Sequence, residues 1–266
     1  MSKPERDPEL GLCLAGGGGR GLLHVGLFQA MEELGIRPGI IAGTSSGALL
    51  GALYSSGKSA EEIRASLDGF KWTDIIAPSL LRRRGILSTI RMQAFYRRQL
   101  GNINIEDLPI RMKIAATNLL DGKVVRFTTG SLPKCLAAST AVPGIFEPVR
   151  IDGGVFYDSG GIYNLPLELF AGEGVKRIIA GNTIGRYGLM KNVNSVQDTL
   201  NQAYLIRTMH LTAMRTGPMG WPGKNDEELI LIDYRTGGAN PANISDCAGM
   251  IEATRKQALG ILKQAF

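Results

Sequence analysis

The chain has 266 residues, of which 44% are hydrophobic and 20% charged, and its 30 Lys and Arg against 24 Asp and Glu give a formal charge of +6. This length predicts one or two domains with a sizeable core, which excludes an intrinsically disordered chain and a disulfide-held miniprotein. Three cysteines, Cys13, Cys135 and Cys247, show no C-x-x-C spacing. They favour a reducing, cytoplasmic compartment and indicate neither a disulfide framework nor a zinc site.

Apolar runs alternate with helical patterns along the chain, without repeats or long linkers. This alternation predicts a three-layer α/β/α sandwich with a mainly parallel central sheet, which forms a single domain over residues 10–266 after a tail over residues 1–9. In chain order we predict a strand at Leu10–Ala15, a helix at Gly21–Leu34, a strand at Ile40–Ala42, a helix at Ser46–Tyr54, strands at Met112–Ala116, Val124–Thr128, Arg177–Gly181 and Leu229–Asp233, and a closing helix at Ile244–Gln264.

Neither a signal peptide nor a membrane span is expected. The first ten residues carry five charges and no apolar run, unlike a cleaved leader. The 20-residue uncharged stretch from Pro38 to Gly57 contains five glycines and four serines. That composition favours a buried strand and helix over a transmembrane helix.

A glycine-rich loop lies between the first predicted strand and helix. Gly16 to Gly19 and Gly21 present backbone N–H groups at the start of a helix, where negative charge is stabilised. Gly16, Gly18 and Gly21 also satisfy G-x-G-x-x-G, the dinucleotide fingerprint, but no acidic residue ends the second predicted strand. Because the ribose-binding carboxylate is missing, we expect no NAD, and no other cofactor or metal motif is present.

The second predicted strand ends in Gly43-Thr44-Ser45-Ser46-Gly47, a G-x-S-x-G sequence. In a nucleophile elbow, a sharp strand-to-helix turn exposes the central serine, and the flanking glycines avoid clashes. The alternative is a serine-rich helix cap. The nearby glycine loop favours the elbow, because an acyl-transfer nucleophile needs amide donors for its oxyanion.

Ser45 needs a proton acceptor, for which the sequence offers two histidines and two aspartates. Ser45, Asp158 and His210 have the chain order of an α/β-hydrolase triad, but we interpret both His24 and His210 as ordinary helix residues. Asp152 and Asp158 lie beside glycines in FEPVRIDGGVFYDSGGIYNLP. Either is also typical of a turn, where Asp caps backbone N–H groups.

Four segments in order, LAGGGGRGLLHVGLFQAMEELGI, GTSSG, ASTAVPGIFEPV and DGGVFYDSGGIYNLP, resemble the successive motifs of the patatin-like phospholipase family. They extend from about residue 10 to residue 170, and SDCAGMIEATRKQALGIL is similar to the family's closing helix. The resemblance implies a lipid acyl hydrolase of the phospholipase A or lysophospholipase type, with a Ser-Asp dyad and no catalytic histidine.

In this resemblance Ser45 is the nucleophile and Asp158 is the base, selected by its spacing to Asn164-Leu165-Pro166. Asp152 matches a second Asp-Gly that precedes the base in this family. Asp158 is followed by Ser159 and Gly160, a departure from the usual D-G-G/A, so a weakly active, lipid-binding regulatory protein is an alternative. Arg20 either braces the glycine loop or meets a phosphate. The residues implied to shape the site are the oxyanion donors Gly17, Gly18 and Gly19 and the framing residues Gly16, Arg20, Gly21, Gly43, Gly47 and Gly160.

The positive charge is concentrated in one segment. Between Ile75 and Glu106 there are six arginines and no lysine or acid, so the rest of the chain is neutral. Arginines interleaved with apolar residues suit an anionic membrane surface, which predicts a peripheral membrane contact or a lid beside Ser45; the alternative is a solvated helix face. Nucleic acid is not expected, because only 6% of the chain is aromatic. The arginines are Arg82, Arg83, Arg84, Arg91, Arg97 and Arg98.

Overall fold

A mixed sheet of eight strands runs through the part of the chain that the computed structural model describes, residues 5–68, 71–78, 86–184, 192–216, 228–235 and 247–266. The strands are β1 (Asp7–Leu14), β2 (Pro38–Thr44), β3 (Arg111–Asn118), β4 (Val124–Phe127), β5 (Val149–Ile151), β6 (Gly154–Tyr157), β7 (Arg177–Asn182) and β8 (Glu228–Asp233). Their order is β5-β6-β3-β2-β1-β7-β8, and β4 pairs with β3. Strands β3, β2, β1, β7 and β8 are parallel, whereas β4, β5 and β6 add antiparallel pairs at one edge.

Seven α-helices and several short 3-10 helices flank the sheet within these residues. The α-helices are α1 (His24–Glu33), α2 (Ser46–Ser55), α3 (Ala60–Leu67), α4 (Ile90–Leu100), α5 (Leu132–Thr140), α6 (Val196–Thr216) and α7 (Cys247–Ala265). The 3-10 helices are Gly18–Leu23, Trp72–Asp74, Ile105–Asp107, Ser159–Gly161 and Leu167–Phe170. The predicted mixed α/β class is confirmed.

The alternation of side chains along β1 explains how both faces of the sheet are covered. Leu12 and Leu14 pack into a cluster with α1, α3 and α7, whereas Cys13 points to the opposite face. The second face is covered by the segment around the Leu167–Phe170 helix. The Phe170 ring packs directly on β1, since a Cβ on Gly11 would lie only 2.6 Å from it. Both faces of the parallel strands are therefore buried, as parallel sheets require.

The parallel strands end at one edge of the sheet, and this edge collects the residues singled out in the sequence. Leu14, Thr44 and Asn182 close β1, β2 and β7 there. Thr117 near the end of β3 pairs with Tyr157 of antiparallel β6, which brings the next residue, Asp158, to the same edge. Ligand sites of open α/β sheets are built at this position.

The observed elements differ from the predicted ones at several points. Strand β1 begins at Asp7, inside the expected tail, because the Asp7 N–H donates to the Arg37 carbonyl beside β2. The first helix begins as a 3-10 turn at Gly18 and becomes α-helical at His24. The short hairpin β5–β6 was not predicted. Within the described residues, no helix combines the length and hydrophobicity needed to cross a membrane.

Candidate active site

Ser45 occupies the sharp turn between β2 and α2 and adopts a backbone conformation that residues other than glycine rarely adopt. Its φ is 55° and its ψ is −126°, which for a non-glycine residue stores about 1–3 kcal/mol of strain. A Cβ on Gly43 would lie 2.7 Å from the Ala48 nitrogen, and one on Gly47 would lie 2.3 Å from the Leu14 oxygen. Both glycines of the motif are therefore required for this turn, as a nucleophile elbow demands.

The Ser45 backbone is held in this conformation by Ser139. The N–H of Ser45 donates a 2.9 Å hydrogen bond to the Oγ of Ser139, a fully buried residue of α5. Ser139 belongs to the ASTAVPGIFEPV segment, but the sequence alone assigned it no role. Only the packing of α5 against the elbow identifies it as the group that satisfies this buried donor.

Asp158 lies next to Ser45, in the turn that follows β6. The Ser45 hydroxyl interacts with its carboxylate and stabilises the ionised form, and the N–H of Gly160 donates a hydrogen bond of 2.7 Å to Oδ1. Burial, which is opposed by these two interactions, raises the pKa of Asp158 to about 6. A carboxylate with this pKa is a far better proton acceptor at neutral pH than a free aspartate, whose pKa is ~3.9.

The departure from D-G-G at Ser159 leaves the carboxylate contact intact. The residue that must be glycine is Gly160, because a Cβ there would lie 2.7 Å from Tyr204 Oη and 3.0 Å from Asp158 Oδ1. Ser159 is accommodated as a fully buried residue. The geometry around Asp158 therefore depends on the third position of D-S-G and tolerates a serine at the second.

The other candidate carboxylate, Asp152, lies in the turn of the β5–β6 hairpin. Asp152 and Gly153 have φ values of 45° and 82°, the positive pair of a two-residue hairpin turn for which Asp-Gly is strongly preferred. Asp152 is exposed, whereas Asp158 is buried beside Ser45. The structure therefore gives Asp152 the turn role and Asp158 the contact with Ser45.

The glycine loop lies directly against the elbow. A Cβ on Gly16 would lie 2.8 Å from Ser45 Cβ, and one on Gly21 would lie 2.5 Å from Ser46 Cβ, so glycine allows the close approach at both positions. No acceptor among the described residues takes a hydrogen bond from the N–H groups of the three central glycines, which are partly or fully exposed. These amides are those of Gly17, Gly18 and Gly19.

Arg20 braces this loop from the inside. Its side chain is almost completely buried, and both its backbone N–H and its Nε donate to the Gly17 carbonyl, at 3.2 and 3.4 Å. Of the two roles considered for Arg20, this geometry favours bracing.

The two histidines occupy different environments, and neither contacts Ser45 or Asp158 within the described residues. His24 is buried between Tyr234 Oη, at 2.8 Å from Nδ1, and the Ala15 carbonyl, at 2.9 Å from Nε2. Burial lowers the pKa of His24 to about 4, so its ring is a neutral part of the core. His210 is exposed on α6.

The arginine-rich segment is described only in part. Arg82, Arg83 and Arg84 lie outside the described residues, whereas Arg91, Arg97 and Arg98 are exposed on α4. The apolar residues of that helix divide between two environments. Met92, Phe95 and Tyr96 are buried in the core, but Ile90, like the preceding Ile86, is exposed over about 70% of its surface.

Comparison with known proteins identifies the family. The patatin-like phospholipase family model matches residues 12–171, more than half of the chain. The chain belongs to the patatin-like phospholipase family. This match contains the glycine loop, the elbow and the D-S-G turn, but it ends before β7 and α6.

Two curated relatives carry the same region. An uncharacterised NTE family protein of Mycobacterium tuberculosis is 35% identical over 175 residues, which are 65% of this chain and 48% of the relative. The patatin-like phospholipase domain-containing protein 6 of Mus musculus is 32% identical over 178 residues, which are 64% of this chain and 13% of that protein. The matched region thus spans about half, or much less, of the length of these relatives.

Solved patatin-like structures share the fold. VipD from Legionella pneumophila superposes with a TM-score of 0.58 at 16% identity, covering 97% of this chain and 67% of VipD. ExoU from Pseudomonas aeruginosa, solved in complex with SpcU, superposes with a TM-score of 0.55 at 14% identity, covering 98% of this chain and 53% of ExoU. At these identities the likeness is one of fold.

The site of this patatin-like chain also includes residues that sequence motifs did not reveal. Tyr204 of α6 lies beside Asp158, since both approach Gly160, and burial, together with the carboxylate, raises the pKa of Tyr204 and of Tyr96 on α4. Tyr204 lies beyond the matched region, so only the packing of α6 on the Ser159–Gly161 turn brings it to the site.

Proposed function

We propose that this chain is a lipid acyl hydrolase of the phospholipase A or lysophospholipase type, which cleaves fatty acyl esters with a Ser45-Asp158 dyad. The observation that carries the proposal is the interaction of the Ser45 side chain, at a strained strand-to-helix turn, with the buried carboxylate of Asp158. Membership of the patatin-like family supports the reaction class.

In the acylation step, Ser45 Oγ attacks the ester carbonyl carbon and transfers its proton to Asp158. The negative charge that develops on the carbonyl oxygen is stabilised by the free amides of Gly17, Gly18 and Gly19, and each such donor is worth roughly 3 kcal/mol of the barrier. Collapse of the tetrahedral intermediate breaks the ester C–O bond, and the departing alcohol takes the proton from Asp158. An acyl-Ser45 ester is left.

In the deacylation step, water replaces the alcohol. Asp158 accepts a proton from the water while the water oxygen attacks the acyl carbon. Collapse then releases the fatty acid and returns the proton to Ser45 Oγ. The pKa of about 6 suits both directions, because Asp158 is mostly ionised at neutral pH and is still acidic enough to return the proton.

Three variants test the dyad on a p-nitrophenyl acyl ester. Ser45→Ala and Asp158→Asn are expected to abolish hydrolysis, whereas His210→Ala retains it. Loss of activity in His210→Ala would instead support a triad esterase. Labelling of the wild type, but not of Ser45→Ala, by a fluorophosphonate probe would argue against a regulatory protein with an inert serine.

The lipid substrate is identified by its products. Mixed liposomes are incubated with wild type or Ser45→Ala, and the released fatty acids and lysolipids are profiled. Products that appear only with the wild type define the head group and the acyl position. If liposomes yield none while soluble short-chain esters are cleaved, the lipid assignment is wrong.

We propose that the arginine-rich segment contacts an anionic membrane surface beside the site. The exposed Ile86 and Ile90 next to the exposed Arg91 support this, since apolar side chains flanked by cations suit a lipid interface. Neutralising Arg82, Arg83 and Arg84, or separately Arg97 and Arg98, is expected to weaken sedimentation with anionic liposomes. Unchanged binding to anionic liposomes in both variants would show that the arginine-rich segment is not the membrane contact.

A further inference from the structure

The carbonyl of Gly16 is held by two buried side chains that approach from different elements. Asn164 donates to it from Nδ2 at 3.2 Å, and Thr183, which follows β7, donates to it from Oγ1. Both donors are buried, Thr183 completely. Asn164 belongs to the segment matched to the family, but Thr183 lies beyond it.

The carbonyls on either side are anchored as well. His24 donates from Nε2 to the Ala15 carbonyl at 2.9 Å, and the Arg20 N–H donates to the Gly17 carbonyl at 3.2 Å. Three successive carbonyls of the loop are therefore bound to protein donors. In a planar trans peptide, the N–H points opposite to the carbonyl of the same unit.

This arrangement determines where the loop amides point. The Gly16 carbonyl shares a peptide unit with the N–H of Gly17, and the Gly17 carbonyl shares one with the N–H of Gly18. Anchoring the two carbonyls turns both amides away from the anchors, and neither amide has an acceptor among the described residues. Because a Cβ on Gly16 would touch Ser45 Cβ at 2.8 Å, these free amides lie in the immediate neighbourhood of the nucleophile.

We propose that Thr183 is a positioning residue of the oxyanion hole, which acts by fixing the Gly16–Gly17 peptide through its hydroxyl. The inference rests on the proposed hydrolase function and adds to it a residue outside the family motifs. Thr183 also packs directly on the next glycine, since a Cβ on Gly17 would lie 2.6 Å from its Oγ1. The same side chain therefore fixes the orientation of the peptide and the path of the loop.

The test compares Thr183→Val, which removes only the hydroxyl donor, with Thr183→Ser, which keeps it. Misplacing an oxyanion donor is expected to lower kcat for a p-nitrophenyl acyl ester in Thr183→Val by about tenfold to a hundredfold. KM and the pH midpoint of the reaction are expected to be unchanged, and Thr183→Ser is expected to restore most of kcat. A purely structural role would not lower kcat while leaving KM unchanged.

The matched control is Thr254→Val, a buried threonine of α7 that packs on Gly26 and not on the loop. It is expected to keep kcat at the wild-type value. If Thr183→Val does not fold, as judged by thermal unfolding, Thr183→Ala removes the same hydroxyl without placing a methyl group against the Gly16 carbonyl. Equal kcat in the folded Thr183 variants and the wild type would overturn the proposal.

A second measurement is independent of catalysis. The ¹H–¹⁵N shifts of the Gly17 and Gly18 amides are expected to move in Thr183→Val but not in Thr254→Val. If the wild type hydrolyses no ester while these shifts move, the proposed function fails, and only the finding that Thr183 fixes the Gly16–Gly17 peptide stands. If the shifts are unchanged in Thr183→Val, the positioning role fails, whether or not the protein is an active hydrolase.

Discussion

The Ser45 hydroxyl interacts with the carboxylate of Asp158, which is only 3% exposed and has a pKa of about 6. The two residues come from separate family motifs and meet because β2 and β6 both border β3. A base in this environment is ionised at neutral pH, yet it retains more affinity for a proton than an aspartate in water.

The pH dependence of hydrolysis follows from this pKa. The ionised carboxylate is the active form, so kcat/KM is expected to rise with pH, by about tenfold per unit below the midpoint, and to level off above a pKa of about 6. The measurement is ester hydrolysis from about pH 4 to about pH 8 in wild type and His210→Ala. The two profiles are expected to coincide; a midpoint lost in His210→Ala would contradict the dyad.

The strain at Ser45 predicts an unusual order of stabilities. Ser45→Gly and Ser45→Ala both remove the nucleophile, but only glycine relieves the positive φ of 55°. Ser45→Gly is therefore expected to be more stable to urea than Ser45→Ala by about 1 kcal/mol. At Ser46, the first residue of α2, glycine is expected to be the less stable of the same two replacements because it weakens a helix. If the glycine and alanine variants had the same order of stability at Ser45 and at Ser46, strain at the elbow would be ruled out.

Ser139 is expected to matter for both stability and catalysis. Ser139→Ala leaves the buried Ser45 N–H without its acceptor, which costs about 1–3 kcal/mol of unfolding free energy. It also loosens the nucleophile, so kcat should fall. Ser55→Ala is the control, because Ser55 is equally buried on α2 and its hydroxyl has no partner among the described residues. A loss in Ser55→Ala as large as that in Ser139→Ala would show that the hydrogen bond is not the cause.

The D-S-G turn predicts a large effect of substitution at Gly160 and a small one at Ser159. Gly160→Ala places a methyl group 2.7 Å from Tyr204 Oη and 3.0 Å from Asp158 Oδ1, so kcat is expected to fall by about a hundredfold through displacement of the base. Ser159→Gly restores the usual family sequence and is expected to change kcat only slightly. A large gain in Ser159→Gly would mean that this departure has lowered the activity.

Sequence patterns predicted the local elements well where one segment specified its own structure. The apolar strands, the glycine loop before a helix and the G-x-S-x-G turn all follow from short-range sterics and hydrophobic periodicity, and β1, β2 and α2 are found where these patterns indicate. The hairpin β5–β6 was missed because its strands are very short, although its Asp-Gly pair was also considered as a turn.

The sequence by itself determined the mixed α/β fold, the family and the identity of Ser45 and Asp158 as the leading candidates, because these are carried by contiguous motifs. Only the tertiary structure decided that Asp152 makes a turn, that His24 is a neutral core residue, and that Ser139, Tyr204 and Thr183 border the site. The reason is physical. Burial, pKa and the orientation of an amide depend on what other segments pack against a residue, and those segments are distant in sequence.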